Sequence, residues 1–471
     1  MTMSMVAATP ATSVASVAPG TPVTVAAPPS KSFSHRKLIA ASLAKGTSRL
    51  SHVLESDDTR HTMEILCRAG ARIEREAPGE YAVTGMDGMP RGGRETPLSC
   101  FMGESGTSCR LLTAVLAAGN GTFFIHGEER LQERPMVQLL ETLSILGVGI
   151  RYGGTPGLLP LTLDSRGLFQ PEDSWLPVGA DISSQFLSGL LLAAPMAYNG
   201  LRLSLAGEKI ASWPYVGLTL QTLEDSGCPF STLTLQDGKW READWRELHS
   251  AKPGAARFRV FPHGYGALSD DAARVEGDYS GASYLLAAGA MGPNPVTVTG
   301  LRRDSLQGDR AILDILEAMG ADVAWNGRAV TVSPAPLHGI DVTMADCPDL
   351  ALTVVALACA AKGPTTVRGV EHLRAKESDR LSAPAVEFAK AGARIVVDGG
   401  TMVIYPPETL PGKTVHASAH NDHRMAMSLA LLERLGICVE LDEPACVRKS
   451  FPTFWDVWRT VHPATHFTED I

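Results

Sequence analysis

The sequence predicts an α/β protein of two domains, each assembled from three copies of one β/α module, and three observations predict it. A helix with nearly the same ending recurs along the 471-residue chain, as "LCRAGARI", "LSILGVGI", "LEDSGCPF", "LEAMGADV" and "FAKAGARI", with glycines at 70, 147, 227, 320 and 392. Glycine after a helix takes the left-handed cap at little steric cost, and the alternation that follows leads into a strand. A second helix type, polar at its start and then rich in Ala and Leu, recurs six times at the matching phase. Its copies are "SKSFSHRKLIAASLAKG", "GESGTSCRLLTAVLAAGNG", "GADISSQFLSGLLLAAP", "GDYSGASYLLAAGAMGP", "CPDLALTVVALACAAKG" and "HNDHRMAMSLALLERLG". Between the helices, alternating segments such as "YAVTG", "VTVTG", "AVTVS" and "MVIYPP" read as strands.

Taken in order, residues 1–21 are low-complexity Ala/Thr/Ser/Val with no Lys or Arg before Lys31, which reads as a disordered tail and not as a signal or transit peptide. "PVTVAA" at 22–27 is strand-like. The first core helix is expected to start near Ser32 or Ser34, either of which offers an N-cap oxygen. Lys31, Arg36 and Lys37 crowd that start, where the helix dipole makes each cation cost a few tenths of a kcal/mol, up to about 1. All six core helices are apolar nearly all round, so they belong in an interior with their polar ends presented to something else. The segment 236–272 fits neither helix type and reads as a surface insertion. The fourth module begins near "VEGDYSGASY", residues 275–284. The sixth has its helix "FWDVWRTV" and then runs out of chain, so "PVTVAA" is expected to complete it. That gives a tail at 1–21, an N-terminal domain at 30–275, and a discontinuous C-terminal domain of 22–29 plus 276–471. Two crossings side by side, near 29 and 276, would make a hinge.

A chain 44% hydrophobic and 20% charged is ordinary for a soluble enzyme, and a formal net charge of -9 argues against general affinity for nucleic acid or anionic membrane. Any anion site must be local. No apolar run of about 18 residues is present to span a membrane. The eight cysteines form no C-x-x-C pair and no zinc spacing, so most are expected to be buried small hydrophobes in a reducing compartment, which places the protein in the cytoplasm. No metal is expected.

The polar ends carry the chemistry. Besides Lys31, Ser32 and Arg36 they offer Arg134 in "ERP", Ser183, Ser184 and Gln185 in "SSQ", Ser212 and Tyr215 in "SWPY", and Lys376, Glu377 and Arg380 in "RAKESDR". "NDHR" adds Asp422 and Arg424, and "RKSFP" adds Lys449. Singly, each reads as a surface charge, a cap or a solvated helix face. Together, at repeat-equivalent positions, they describe helix N-termini converging on a cleft with Lys and Arg added, which is an anion-binding arrangement. Facing cations repel one another, so they imply more than one anionic group and closure on binding. Asp349, at the start of "CPDLALTVV", is placed to stay ionised as a general base, and Glu377 to act as an acid in a dry cleft.

The segments "PPSKSFSHR", "SDDTRHT", "GESGTSCRLL", "ERPM", "DISSQFLSGLLLAAP", "SWPY", "VEGDYSGASY", "PDLALT", "LRAKESDRL", "NDHRMAMSLAL" and "RKSFP" follow one another in an order that resembles the 3-phosphoshikimate 1-carboxyvinyltransferase family, of the enolpyruvyl transferase fold, from about 22 to 462. The resemblance implies two domains of three modules closing on ligands between them. It implies transfer of the enolpyruvyl group of phosphoenolpyruvate to the 5-hydroxyl of shikimate 3-phosphate, with release of phosphate, on the way to chorismate and the aromatic amino acids. By motif, shikimate 3-phosphate would be held by Lys31, Ser32, Arg36, Ser183, Ser184, Gln185, Ser212, Asp349 and Lys376. Phosphoenolpyruvate would meet Lys31, Gly106, Arg134, Gln185, Arg380, Arg424 and Lys449. Asp349 would take the 5-hydroxyl proton, and Glu377 with a lysine, Lys31 or Lys449, would protonate the methylene carbon. No cofactor is implied, and a monomer is expected to suffice. Lys31 is expected at the crossing touching both substrates, and Lys37, about 100° round the helix from Arg36, on the surface.

Two positions depart from the family pattern. Glu104 stands where Asn is typical, in "Asn-(Ser/Ala)-Gly-Thr", and must turn away, pair with a cation or be protonated, since a like charge about 4 Å away costs about 4 kcal/mol at an effective dielectric near 20. His372 stands where many members have Asn before "LR-x-KE". Two rival readings follow. The sister transferase acting on a UDP-N-acetyl sugar needs a reactive Cys in a Gly-rich loop, and "NGTFFIHGEERLQERPM" has none. A non-catalytic shikimate 3-phosphate binding protein is the other, motivated by Glu104.

Overall fold

The computed structural model describes residues 20–171, 174–208, 210–248, 252–409 and 414–464. Nearly all of the tail expected at 1–21 lies outside them.

The repeated unit is complete in residues 98–166. Strand Leu98–Phe101 leads to helix Gly106–Ala117, strand Asn120–His126, helix Val137–Ile145, and the strands Gly149–Tyr152 and Leu161–Arg166. The first two strands are parallel and the last two add antiparallel, with Leu161–Arg166 central. The helix ending at Ile145 is followed by Gly147 at φ +92°, and Gly70, Gly227, Gly320 and Gly392 also adopt positive φ. Each recurring glycine therefore turns a helix into the next strand as its sequence position requires. Six principal sheets of two to five strands follow one another in the described residues, with an accessory pairing of Ala44–Lys45 and Tyr265–Gly266. The Ala- and Leu-rich helices fill the interiors. Tyr279–Met291 is buried at every position but its last, and Ala351–Cys359 at every position. One hydrophobic cluster runs from Phe33 to Val275, and a second joins Val23, Val25 and Ala27 to residues from Tyr279 to Val461.

Two strand expectations are corrected. Val23–Ala26 pairs in parallel with Val296–Thr299, in the fourth unit and not the sixth. The fourth unit opens directly on helix Tyr279–Met291 and lacks a first strand of its own, and the buried Val23 and Val25 fill that edge. The segment 236–272 is only partly an elaboration. Its strand Ala256–Val260 lies between Leu201–Ala206 and Phe230–Gln236, the place Leu161–Arg166 takes in the second unit. Ala256, Phe258 and Val260 are buried, while Arg257 stacks on Trp240 and Trp175 on the other face. The added part is the arm Lys239–Ala243 and the turn Trp245–Glu247.

The chain crosses between the two clusters twice, and the crossings lie side by side. Ser30 N donates to Glu276 O at 2.8 Å and Asp278 N to Pro28 O at 2.7 Å, across a bridge between Pro29 and Gly277. The first helix, Lys31–Leu43, is capped by Ser30, two residues before the nearer expected cap, Ser32, and still in extended backbone. Asp278 adds a second acceptor, taking Lys31 N at 3.0 Å. Ser32 is thus not consumed as a cap, and Ser34 instead accepts from Leu54 N.

Lys37 is also corrected. It is buried, and its Nζ donates to Ala272 O and Arg274 O, tying the first helix to the segment entering the second crossing. Burial pushes its amine pKa down against the opposing pull of Asp225 and Glu276.

Candidate active site

The polar helix ends converge on one cleft between the two clusters. Its lining contains Lys31, Ser32, Gly106, Arg134, Ser183, Ser184, Gln185 and Ser212 from one side and Asp349, Lys376, Glu377, Arg380 and Arg424 from the other. Lys449 reaches the same place, 4.0 Å from Glu377. Arg36 is not brought to the lining. It is buried behind it, with Nε on Thr219 Oγ1, Nη1 on Ser32 O and Nη2 on Tyr215 O at 2.9 to 3.0 Å, so its guanidinium braces the helix that carries Ser32 against helix Pro214–Asp225, which follows Ser212. The helix packing engages all three guanidinium nitrogens, which the motif alone did not reveal.

On the N-terminal side, Lys31 Nζ lies 3.1 Å from Asp58 Oδ2. Burial pushes the Asp58 carboxyl up, but Lys31 and Lys449 outweigh it and hold it below its ordinary value. Gly106 begins helix Gly106–Ala117, and a Cβ there would sit 2.6 Å from the Arg134 guanidinium, so only glycine leaves Arg134 its position. Gln185 is fixed at both ends, accepting from Arg110 Nη1 and donating to Thr107 Oγ1, each at 2.9 Å. Ser183 Oγ accepts from Gln185 N at 3.2 Å. Ser212 sits at φ +61°, and its N donates across the cleft to Ala345 O at 3.0 Å.

The opposite side is a lattice of charge. Asp349, in the turn Pro348–Leu350 that opens helix Ala351–Cys359, accepts from Arg424 Nη2 at 2.8 Å, Arg380 Nη1 at 3.2 Å and Tyr215 Oη at 3.3 Å. Burial pushes its carboxyl up, yet Arg424, Lys376 and Arg380 prevail and keep it well below the ordinary range. The carboxyl is thus held in its ionised form. Glu377 Oε2 accepts from Arg380 Nη2 at 2.8 Å, and its Oε1 lies 3.8 Å from Arg134. Burial favours its protonation, but Arg380, Lys449 and Arg134 together hold it well below the usual carboxylate range. The expected acid is therefore ionised in this arrangement. Arg380, 2% exposed, is pinned by Asp422 through Nε and Nη2 at 2.7 and 3.1 Å. Burial lowers the Lys376 amine to about 8 despite Asp349, with Arg380 adding to the fall.

Several residues in the cleft carried no sequence signal of their own. Asp309 lies under Tyr215, whose Oη is 3.5 Å from its Oδ2, and it accepts from Ser280 Oγ. Burial and the neighbouring Asp349 push Asp309 up to about 7. Two carboxyls joined by one phenol are thus driven apart in proton affinity, the pattern that separates acid from base. His423 also lines the cleft, with neither ring nitrogen hydrogen-bonded among the described residues, and burial pushes it well below 6.5. Glu104 is resolved by pairing: Lys449 Nζ stands 2.8 Å from its Oε2 and Asn421 Nδ2 2.9 Å from its Oε1. His372 does not line the cleft.

The two sides touch repeatedly. Arg130 donates to Lys376 O at 3.1 Å and Arg374 O at 3.2 Å, beside the Tyr215–Asp349 and Glu104–Lys449 contacts. Among the described residues no helix is long and apolar enough to cross a membrane, and no group of three or more His, Cys, Asp or Glu is placed to hold a metal.

Comparison with known proteins agrees with this fold. The solved EPSP synthase of Acinetobacter baumannii superposes with a TM-score of 0.68 at 22% identity, covering 93% of this chain and 96% of that one. The enolpyruvyl transferase NikO of Streptomyces tendae does so with a TM-score of 0.68 at 18% identity, covering 94% and 96%. These two show the fold. In sequence, the 3-phosphoshikimate 1-carboxyvinyltransferase of Sulfurovum sp. (strain NBC37-1) is 38% identical over 92% of this chain and 95% of its own length. That of Aeromonas salmonicida (strain A449) is 36% identical over 93% and 96%. The family model for EPSP synthase (3-phosphoshikimate 1-carboxyvinyltransferase) matches residues 20–237 and 251–458, and the chain belongs to that family.

Proposed function

We propose that this chain transfers the enolpyruvyl group of phosphoenolpyruvate to the 5-hydroxyl of shikimate 3-phosphate and releases phosphate. The observation that carries the reading is Asp349, a carboxylate held ionised by Arg424 and Arg380 in a cleft whose facing wall offers Ser32, Ser183, Ser184, Ser212 and Gln185. Such a wall suits a hydroxylated ring and a phosphate, while Lys31, Arg134, Arg380, Arg424 and Lys449 suit the charges of phosphoenolpyruvate. Lys376, with its amine near 8, gives the shikimate phosphate a cation that also exchanges protons near neutral pH.

Asp349 removes the 5-hydroxyl proton as the oxygen attacks C2, and C3 gains a proton from Glu377. Glu377 is ionised while Arg380, Lys449 and Arg134 face it. When the anionic groups of phosphoenolpyruvate take those cations, the carboxyl loses the charges that suppress its pKa and becomes an acid. In the second half, C3 returns its proton to Glu377 and the C2–O bond to phosphate breaks. The leaving phosphate carries away the proton first taken by Asp349. The ordered charges stabilise the oxocarbenium-like centre between the two halves.

The same reading takes 30–275 as one domain and 22–29 plus 276–471 as the other, supported by the two hydrophobic clusters and the paired crossings. All the residues named come from one chain, which supports action as a monomer, and eight free cysteines support a cytoplasmic setting. The test is phosphate release from both substrates together, with Asp349→Ala as control. Release that requires both substrates and falls to background in the control is the expected result, and no turnover by the parent protein sinks the reading.

A further inference from the structure

Five cleft cations each face a protein carboxylate: Lys31 with Asp58, Arg134 with Glu377, Arg380 with Asp422, Arg424 with Asp349, and Lys449 with Glu104. Three of these pairs lie within one side of the cleft. Arg134 and Glu377 face each other across it at 3.8 Å, whereas Glu104 and Lys449 meet across it at hydrogen-bond distance, 2.8 Å. Both Glu104 oxygens are committed to the opposite side, because Asn421 Nδ2 holds the other at 2.9 Å. Glu104 is also held in place from behind. The preceding Gly103 has φ +55°, and a Cβ there would strike the His61 ring at 2.8 Å, so the backbone that aims Glu104 is tightly packed. Two residues further on stands Gly106, beneath Arg134.

Lys449 is 9% exposed and lies 4.0 Å from Glu377, so an anion arriving at its Nζ meets Glu104 already there. Two anions on one poorly solvated ammonium repel each other. We infer that Glu104 is a built-in anionic occupant of Lys449, a specificity-setting residue that latches the two sides together and must release Lys449 to phosphoenolpyruvate, so that its charge weakens binding of that substrate and leaves shikimate 3-phosphate unaffected. This inference rests on the substrate assignment proposed above. It predicts a penalty confined to one of the two substrates, in a chain whose catalytic carboxylates are otherwise in place.

Glu104→Gln keeps the shape and the Asn421 contact but removes the charge. The expected result is a KM for phosphoenolpyruvate lower by about tenfold, with the KM for shikimate 3-phosphate within about twofold of the parent. An unchanged or higher KM for phosphoenolpyruvate would show that Glu104 supports Lys449 in the complex, and would overturn the inference. Calorimetric titration of phosphoenolpyruvate in the presence of shikimate 3-phosphate needs no turnover. Tighter binding by the variant upholds the role of Glu104 even in a parent that fails to release phosphate, and equal or weaker binding overturns it. Asn421→Gly deletes the second latch contact while keeping the positive φ of that turn. Small-angle scattering of both variants without substrate is expected to show a larger radius of gyration than the parent, and identical profiles would overturn the latch.

Discussion

The two walls of the cleft are built from the same module yet differ in how they carry charge. The N-terminal wall presents mainly hydroxyls and an amide, from Ser32, Ser183, Ser184, Ser212 and Gln185, with Lys31 and Arg134 as its cations. The C-terminal wall is an ionic lattice in which Asp349, Glu377 and Asp422 interlock with Arg380 and Arg424. We propose that one wall recognises by hydrogen bonding while the other sets proton affinities. The crowding of cations, which reads from the sequence as repulsion relieved only by substrate, is already balanced by the protein's own carboxylates. On the proposed function, binding is an exchange of anions, and the exchange is expected to alter the protonation of Glu377.

The largest effect expected from this division falls on the C-terminal wall. On the proposed function Asp349→Asn removes the base, and kcat is expected to fall by about 10³ to 10⁴. A variant retaining a tenth of parental kcat would erase the distinction between the walls. Next comes Arg380→Met, which leaves Asp422 and Glu377 buried without their main partner and is expected to cost about 3 to 5 kcal/mol in urea denaturation at pH 7. The sign with pH follows from the depressed carboxyls. Burial raises Asp422, but Arg380 overrides it, so its folded value lies below the unfolded one. Stability from such a pair is fully present above about pH 4 and drains as pH falls through the folded value, so the gap between parent and variant should narrow on acidification.

Much of this was legible in the sequence because the repeat writes itself in local chemistry. The recurring glycines at 70, 147, 227, 320 and 392 mark helix ends whatever surrounds them, and all five adopt positive φ. Lysines and arginines at the starts of apolar helices stand out because a core does not need them. Partnerships were not legible, since they join segments far apart. Tyr215 meets Asp349 134 positions away, and Glu104 meets Lys449 345 away. Strand Ala256–Val260 was hidden because Arg257 stacks on Trp175 and Trp240 and Arg259 on Phe261, so an outward face looked like a charged loop. Arg36 has the motif of a ligand-binding arginine, and only packing shows its nitrogens also engaged by Thr219, Ser32 and Tyr215.

Lys376 sharpens the comparison through pH. Burial lowers its amine to about 8, with Asp349 opposing and Arg380 adding to the fall, so the ammonium is lost as pH rises through that value. The KM for shikimate 3-phosphate should therefore rise between pH 7 and pH 9, by up to about tenfold per unit above the midpoint. Lys376→Met should start from the higher KM and show a flat profile. A parental KM that stays constant across this range would remove Lys376 from the phosphate site.

The smallest effect tests the N-terminal wall. Ser32 lines the cleft and is spared from capping because Ser30 takes that place, so its hydroxyl is available to a ligand. Ser32→Ala deletes one neutral hydrogen bond without disturbing the helix start. One such bond is worth about 0.5 to 1.5 kcal/mol, which is roughly a twofold to twelvefold rise in the KM for shikimate 3-phosphate. Because the hydroxyl carries no charge and moves no proton, kcat and the pH profile should stay at parental values. A fall in kcat, or a shifted pH optimum, would mean that the hydroxyl wall also governs proton affinity, and recognition and chemistry would then no longer divide between the two sides of the cleft.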